Sequence, residues 1–344
     1  MSEGKKFWRI TLDTNPDFCN LKCTMCEDHS PYAESKASRK KRGVLRPNMD
    51  KALLEKVIRE AHAMGVQEII PSTMGEPLIY PYFEVFLDLC HELDLKLNLT
   101  TNGTFPSPEK HQSVEHWAKR IIPIGSDVKI SWNGATSAIH NAIMLRSSLD
   151  QHIENAKRFI AVRNELATDN DCTVTMQLTF MRDNLEEIPG MVKLAIALGF
   201  DRIKGHQLWS HFPELEQQSL RNSIVFAERW NEIVDACEAI AQSSDNGKPK
   251  IELANFHKLD ISKDNNISLE GACPFLGKEM WIDPSGRFNV CCAPDQERKK
   301  LGYFGNLNED SLIEIVNSKA YQNLQENYLT KKLCQSCNMR RPND

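Results

Sequence analysis

Three cysteines near the start of the chain are spaced closely enough to bind one metal centre. Cys19, Cys23 and Cys26 lie in the segment C-N-L-K-C-T-M-C, which is too short to be a helix or a strand throughout. Three converging thiolates leave one iron of a cubane cluster without a protein ligand. A structural zinc site needs a fourth ligand, which His29 could supply. Spacing alone leaves both metals open.

A second cysteine set follows the pattern C-x17-C-C-x41-C-x2-C near the other end of the chain. The close pair and the two distant positions are typical of a zinc ribbon or of a four-thiolate iron–sulfur site, and spacing does not choose between them. The segment MWIDPSGRFNVCC predicts a hairpin with a glycine turn leading into the adjacent pair. The members of this set are Cys273, Cys291, Cys292, Cys334 and Cys337.

The remaining cysteines, Cys90, Cys172 and Cys237, lie within helix or strand patterns. A buried free cysteine there acts as a small apolar residue, so we assign them no chemistry. All eleven cysteines belong to a chain whose polar amino terminus does not resemble an export signal. The cytosol keeps thiols reduced, so this number of cysteines indicates metal ligands rather than disulfides.

Composition excludes several classes of function. A chain of 344 residues can bury a large core, and its formal charge of -5 lacks the basic excess that nucleic-acid binding requires. No stretch reaches the ~18 consecutive apolar residues of a membrane-spanning helix. We therefore expect a cytoplasmic protein that binds neither nucleic acid nor membrane, and whose partner is a small molecule or a peptide.

Strand and helix patterns alternate along the chain after the first cysteine segment. Such alternation predicts about six β/α units on a parallel sheet, whose carboxyl ends gather the reactive groups. Residues 35–47 are basic and turn-rich, and we interpret them as a solvated loop. The predicted strands are 7–13, 66–72, 96–101, 127–132, 173–180 and 202–207, and the predicted helices are 50–64, 82–93, 149–166, 185–198 and 223–241.

A domain boundary is expected near residue 245, because residues 243–250 have the composition of a linker. Residues 1–245 would form the α/β domain. Residues 246–344 would form a small α+β domain that is held together by metal.

The first cysteine segment matches the motif C-x3-C-x2-C, and on this motif the chain resembles the radical S-adenosylmethionine (SAM) superfamily. The resemblance implies a partial (β/α)6 barrel and a 4Fe-4S cluster held by Cys19, Cys23 and Cys26. In that family the open iron chelates SAM, and electron transfer releases a 5′-deoxyadenosyl radical. Met25 stands where relatives place a large apolar residue near the adenine.

Two further segments resemble SAM-binding motifs of the same family. The segment STMGEP carries Gly75, Glu76 and Pro77, which would receive the SAM ammonium. LTTNGT carries Asn102, which would reach the ribose or the methionyl part. Taken alone, G-E-P is also an ordinary helix-start turn and N-G an ordinary turn signal.

The later strands end in three more candidates. In KISWNGAT and the helix after it, Ser131 and Arg146 occupy positions that in relatives bind the ribose and the SAM carboxylate. The planar guanidinium of arginine suits a carboxylate, since it can form two charge-assisted hydrogen bonds. His206 in IKGHQLW would neighbour the cofactor or the substrate, and a structural hydrogen bond is the equal alternative.

The second cysteine set, with its G-x4-C element from Gly286 to Cys291, resembles the SPASM and twitch subgroup. Its layout is similar to that of 2-deoxy-scyllo-inosamine dehydrogenases. The resemblance implies a twitch-type domain with a single auxiliary 4Fe-4S cluster, because only seven residues follow Cys337. Cys292 could replace Cys291. The implied ligands are Cys273, Cys291, Cys334 and Cys337.

The resemblance implies that a deoxyadenosyl radical abstracts hydrogen from a substrate carbon. We expect an alcohol or sugar-like carbinol to be oxidised, with the auxiliary cluster as electron acceptor and a flavodoxin- or ferredoxin-type protein as electron donor. No spacing rule selects the group that takes the proton among His206, Arg182 and Glu76.

Three alternatives stay open. The first is modification of a ribosomally made peptide, although the first cysteine at position 19 is expected to leave no room for an amino-terminal peptide-binding domain. The second is epimerisation, in which Cys292 would return a hydrogen atom. The third is a non-catalytic zinc-binding protein.

Overall fold

A computed structural model describes residues 7–72, 74–106, 112–166, 172–242, 250–260, 271–335, 337, 339 and 340. The strands are β1 (Arg9–Leu12), β2 (Glu68–Ile70), β3 (Lys96–Thr101), β4 (Gly125–Ser131), β5 (Thr173–Phe180), β6 (Arg202–Gln207), β7 (Glu252–Ala254), β8 (Glu279–Ile282) and β9 (Phe288–Asn289).

Helices follow the strands in the order that a β/α repeat requires. The α-helices are α1 (Lys36–Lys41), α2 (Lys51–Ala63), α3 (Phe83–Glu92), α4 (Val114–Ile121), α5 (Ser137–Ile143), α6 (Leu149–Leu166), α7 (Ile188–Leu198), α8 (Ile224–Gln242), α9 (Asp295–Arg298), α10 (Leu312–Val316), α11 (Lys319–Asn327) and α12 (Lys332–Gln335). The 3-10 helices are Pro77–Ile79, Ile122–Ile124, Arg182–Glu187, Pro213–Gln218, Leu220–Asn222, Lys299–Leu301 and Tyr328–Thr330.

The first of two compact units combines Met1–Pro16, Arg46–Asn98 and Asn266–Asp344. Within it β1 pairs in parallel with β2 on one side and with β8 on the other, and β2 pairs in parallel with the start of β3. β9 closes a hairpin against β8. A strand that arrives more than 260 residues after β1 therefore completes the sheet of this unit.

The second unit contains Asp17–Leu45 and Leu99–Asn265. Its sheet is parallel throughout, with the strand order β7-β6-β5-β4. The strands β4 and β5 are largely buried, although both carry polar residues between their apolar ones. The helices α6 and α7 are likewise buried along one side.

Helix α2 shows why the local sequence sufficed for most elements. Asp50 caps it by accepting a hydrogen bond from the amide of Ala52, and Gly65 follows with a left-handed backbone. The apolar residues at helical spacing all face the core. They are Leu53, Leu54, Val57, Ile58 and Ala61.

The alternation of six parallel strands with helices confirms the predicted α/β class, and β5, β6 and α6 have the predicted bounds. The interpretation of residues 35–47 as a loop throughout was wrong. Ser35 caps α1 by accepting a hydrogen bond from the amide of Ser38, and basic residues in the last turn favour the helix dipole. A helix without any buried residue leaves no apolar period to detect.

Cys90, Cys172 and Cys237 are buried, as predicted. The predicted linker falls almost entirely on residues 243–249, which lie outside the described residues. No helix in the described part of the chain is both long and apolar enough to span a membrane.

Candidate functional site

The first cysteine loop packs against a buried apolar cluster in the second unit. Leu21 is buried in a cluster with residues of α5 and of the later strand ends, and Cys19, Cys23 and Met25 pack against that cluster while staying partly exposed. Packing against these apolar side chains therefore fixes the position of the loop. The buried members are Leu21, Ile143, Met144, Met181, Leu208 and Leu215.

Two backbone hydrogen bonds join this loop to the segment after α5. The amide of Lys22 donates to the carbonyl of Leu145 at 3.1 Å, and that of Thr24 donates to the carbonyl of Ile143 at 2.9 Å. Arg146 follows directly, is exposed and has a φ of 74°. A left-handed backbone is uncommon for arginine. The fold thus brings this predicted SAM contact next to the cysteine loop.

The Cys26 thiol is surrounded by protein, and burial raises its pKa to about 11. The backbone amides of Asp28 and His29 oppose that shift by donating hydrogen bonds to its sulfur. A thiol must lose its proton to bind a metal, and these amides stabilise the thiolate. His29, the fourth ligand of the zinc alternative, therefore contributes its backbone amide here.

Asn102 directly follows β3 and contacts the same loop. Its side-chain amide donates to Asn20 Oδ1 at 2.7 Å and lies 3.6 Å from Cys19 Sγ. Its side-chain oxygen accepts hydrogen bonds from the amide and hydroxyl of Thr104. The N-G turn and the cysteine loop are therefore one hydrogen-bonded structure, and the predicted contact between Asn102 and SAM stays a prediction.

His206 and Ser131 lie at strand ends in the second unit. The His206 imidazole lies within hydrogen-bonding distance of Gln177 and Thr179 on the neighbouring strand, at 3.3 and 3.4 Å. Its ring is solvent-accessible although protein surrounds most of it, and desolvation lowers its pKa. Ser131, the last residue of β4, is partly exposed opposite Gln177.

Arg182, a candidate proton acceptor, stacks on the ring of Phe226 with its guanidinium carbon 4.9 Å from the ring centre. This contact gives the side chain a packing role. Its proposed part in proton transfer stays a prediction.

The G-E-P segment lies in the first unit. Glu76 is 1% exposed, and its carboxylate accepts a hydrogen bond from the amide of Leu78, capping the 3-10 helix that Pro77 begins. Its carbonyl accepts a hydrogen bond from the side-chain amide of Asn15 at 2.7 Å. The helix-start turn expected for G-E-P is therefore present. The Gly75 carbonyl accepts a hydrogen bond from the Ser72 hydroxyl at 3.4 Å.

The later cysteines share one neighbourhood in the first unit. The pKa of Cys334 is raised to about 11, chiefly by burial and in addition by the nearby charges of Cys291, Cys273 and Cys337. Burial likewise raises the pKa of Cys291 to about 11, with Cys273 and Cys337 again close by. Four thiols that disfavour one another's ionisation need a cation between them to become thiolates together.

Cys292 differs from these four. It is exposed, whereas each of the four is partly buried. Protein nevertheless surrounds most of its sulfur, and desolvation raises its pKa to about 12, with Cys291, Cys337 and Glu279 as charged neighbours. The charges that raise the pKa of Cys334 include that of Cys291 and not that of Cys292, which agrees with Cys291 as the ligand. The choice between the two stays a prediction.

Family models decide between the open readings of these cysteines. The model of the radical SAM superfamily matches residues 16–195, and that of the SPASM iron-sulfur cluster-binding domain matches residues 273–338. The chain belongs to the radical SAM superfamily. Its cofactors are accordingly a SAM-binding 4Fe-4S cluster, SAM and auxiliary iron–sulfur in the SPASM region.

Curated relatives align along nearly the whole chain. "PqqA peptide cyclase" of Methylobacterium sp. (strain 4-46) is 25% identical over 94% of this chain and 76% of its own length. "Tungsten-containing aldehyde ferredoxin oxidoreductase cofactor-modifying protein" of Pyrococcus furiosus is 24% identical over 94% of this chain and 85% of its own length.

Solved structures confirm the radical SAM fold. SuiB of Streptococcus suis, solved with S-adenosylmethionine, has a TM-score of 0.65 at 19% identity over 97% of this chain and 71% of its own. anSMEcpe, solved with AdoMet, has a TM-score of 0.66 at 14% identity over 96% of this chain and 83% of its own.

The residues of this radical SAM chain fit the cofactors of its family. Every predicted cluster ligand is partly exposed, whereas the three cysteines assigned no chemistry are buried. Among the described residues, no group of three or more His, Cys, Asp or Glu side chains is arranged to hold a single metal ion. Each thiolate of a cubane binds a different iron, so its ligands are spaced more widely than those of one zinc ion.

Sequence reasoning missed two arginines beside these radical SAM sites. Arg39 of α1 bonds to Asp17 at 2.7 Å and also contacts Asp28, so it ties both flanks of the first cysteine loop. Arg298 bonds to Asp13 at 2.7 Å, and its charge opposes the rise that burial causes in the pKa of Cys291. A basic segment was the only sign of Arg39, and no sequence signal distinguished Arg298.

Proposed function

We propose that this radical SAM enzyme modifies a peptide, and that Cys19, Cys23 and Cys26 hold its SAM-binding cluster. The observation that carries the proposal is the alignment with PqqA peptide cyclase over 94% of the chain, which includes the SPASM region. Oxidation of an alcohol, our first expectation, has no comparable support. When bound, the cluster and SAM supply a deoxyadenosyl radical that abstracts hydrogen from a substrate carbon.

A cavity next to the first cysteine loop supports a peptide substrate. It has a volume of about 180 Å³ and is lined by Thr24 of the loop, by apolar groups that include Ile139 and Met181, and by the acidic residues Asp183 and Glu214. Pockets with apolar walls and a few polar groups hold single side chains of a bound chain well.

A row of rings leads to this cavity. Tyr32 lines it and lies 6.1 Å from Phe212, which is followed by His211 and the half-exposed Trp209. Exposed aromatic side chains of this kind are typical of surfaces that bind other chains. The row therefore offers an extended peptide several contacts outside the cavity.

Other residues of this chain bind and position the cofactors. Arg146 binds the SAM carboxylate, while Ser131 and His206 line the SAM and substrate region. Cys273, Cys291, Cys334 and Cys337 would hold the auxiliary cluster, which would supply one-electron redox chemistry beside the substrate. An electron donor of the flavodoxin or ferredoxin type supplies the electron that SAM cleavage consumes.

The test uses anaerobically reconstituted full-length enzyme with SAM and a reductant. The probes are synthetic peptides encoded by short reading frames beside the gene and, separately, a panel of sugar alcohols. We expect a peptide to stimulate 5′-deoxyadenosine formation and to lose two hydrogen atoms by mass spectrometry. Stimulation by a sugar alcohol with formation of a carbonyl product, and no change in any peptide, would overturn the proposal.

A variant tests the aromatic row. Trp209→Ala should raise the KM for the peptide about tenfold, since an exposed aromatic anchor contributes roughly 1–2 kcal/mol to binding. SAM cleavage without peptide should not change. Ile224→Ala, which removes an exposed apolar side chain elsewhere in the same unit, is the matched control. Equal effects of the two variants would remove the row from the peptide-binding surface.

A further inference from the structure

A buried histidine contacts the turn that reaches the first cysteine. His152 lies on α6 and is 1% exposed, and its Nε2 lies 2.6 Å from the carbonyl oxygen of Asn102. The side-chain amide of Asn102 lies 3.6 Å from Cys19 Sγ. We propose that His152 is a positioning residue that holds Asn102 as a hydrogen-bond donor to the Cys19 sulfur, and that this bond raises the reduction potential of the SAM-binding cluster.

The histidine can donate only one hydrogen bond, and the geometry selects which. Desolvation lowers the pKa of His152, so the imidazole is neutral and carries one N–H. Both ring nitrogens face carbonyl oxygens, Nε2 that of Asn102 at 2.6 Å and Nδ1 that of Ser148 at 3.3 Å. The shorter contact takes the proton, so Nε2 donates to Asn102.

A second residue of α6 holds the same turn. Asn155, which is three residues after His152 and therefore on the same helix face, donates to the carbonyl of Gly103 at 3.0 Å and to that of Thr104 at 3.2 Å. The backbone of the turn thus accepts hydrogen bonds from two buried side chains of one rigid element.

The turn lies so close to the histidine that it requires glycine. Gly103 has a φ of 77°, and a Cβ there would be 2.8 Å from both the His152 ring and Ile130. No other residue fits without moving the imidazole. The side chain of Asn102 is also restrained, because its oxygen accepts from Thr104 while its amide donates to Asn20.

An N–H that donates to a ligating thiolate withdraws charge from the sulfur. Hydrogen bonds to the sulfurs are among the factors that set the reduction potential of an iron–sulfur cluster, and outer groups that orient them count as well. Less negative charge on the sulfur makes addition of an electron easier. Loss of the bond should therefore lower the reduction potential.

The test measures the midpoint potential of the SAM-free, fully reconstituted enzyme by redox titration followed by electron paramagnetic resonance. The signal of the SAM-binding cluster is identified by its change of shape when SAM is added afterwards. Asn102→Ala and His152→Leu should both lower this midpoint potential. His152→Gln, whose side-chain amide can still donate to the Asn102 carbonyl, should restore most of it.

The control variant is His140→Phe. His140 lies beside His152 with ring centres 4.7 Å apart, is fully buried, and neither of its ring nitrogens has a hydrogen-bond partner among the described residues. This variant disturbs the same packing but should leave the midpoint potential unchanged. An equal shift in His140→Phe would reduce His152 to a packing role.

A second readout separates this proposal from the predicted SAM contact of Asn102. If Asn102 acts only on SAM, Asn102→Ala weakens SAM binding and leaves the SAM-free potential of the wild type. That result would overturn the proposal. Iron content per chain, measured for each variant, shows that the cluster is present in every titration, and the outcome does not depend on which substrate the enzyme modifies.

Discussion

The two cysteine regions are built in opposite ways. The first places three cysteines within one loop of eight residues, and this loop is held by hydrogen bonds that Asn102 donates and that the segment before Arg146 accepts. The second assembles four cysteines from positions 273 to 337, which only the fold brings into one neighbourhood. A short loop can leave one side of a cluster open, whereas four thiols from separate segments can enclose one.

The two cysteine sites therefore depend on different interactions. The local site needs its loop to keep one conformation, so it depends on the groups that hold the loop. The assembled site depends on the packing of the hairpin β8–β9 and the later helices. We therefore expect substitutions in the two regions to affect different cofactors and different steps.

A cysteine substitution in the first region should cause the greatest loss of activity. Cys23→Ala should reduce 5′-deoxyadenosine formation to background, because loss of one of three ligands destroys the cluster that binds SAM. Iron should fall from about eight to about four per chain. Cys90→Ala, which changes a buried cysteine without assigned chemistry, should retain the iron. Retention of SAM cleavage in Cys23→Ala would contradict the assignment.

In the second region, substitutions of the adjacent residues Cys291 and Cys292 can be compared directly. Cys291→Ala should also lose about four irons, yet SAM cleavage should persist because the first cluster is intact. Modified substrate should no longer accumulate. Cys292→Ala should keep both iron and product. The reverse result would make Cys292 the ligand, and loss of product with full iron in Cys292→Ala would favour the epimerase alternative.

The ion pair between Arg39 and Asp17 should stabilise the first cysteine loop. Arg39→Met removes the cation from the Asp17 carboxylate, whose side chain is fully buried, and should lower the free energy of unfolding by about 3 kcal/mol. Arg42→Met, at the C-cap of the same helix, removes a pair whose arginine is 62% exposed and should cost less than about 0.5 kcal/mol. Urea denaturation of the anaerobic protein measures both, and equal values would argue against this support.

Histidine titration should act on the first region and not on residues 271–340, which contain no histidine. Burial lowers the pKa of His140 to about 3, so the unfolded chain takes up its proton first and stability is lost as the pH falls from about 6.5 towards 3. At pH 5.5 this loss is about 1.4 kcal/mol.

His140→Phe lacks this titration. Between pH 7.5 and pH 5.5 its free energy of unfolding should therefore fall less than that of the wild type, by about the same 1.4 kcal/mol. Parallel losses in the two proteins would show that His140 is not buried in its neutral form. Urea denaturation at the two pH values measures the difference.

Local patterns predicted the parts of the fold that local interactions create. The bounds of β5, β6 and α6 follow from apolar periodicity, and the cap at Asp50 follows from the residue type. The pairing of β1 with β8 was not predicted, because the hydrogen bonds join Arg9 to a strand that begins at Glu279. The helix α1 was missed since it buries nothing.

From the sequence alone it follows that one short loop offers three thiols to a single metal centre, because Cys19, Cys23 and Cys26 are neighbours along the chain, while their spacing leaves the kind of metal open. The groups that support that loop are known only from the tertiary structure. His152 and Arg39 reach it from helices whose local sequence carries no mark of the contact. Hydrogen bonds between distant segments depend on where the backbone carries each side chain, and this is a property of the whole fold.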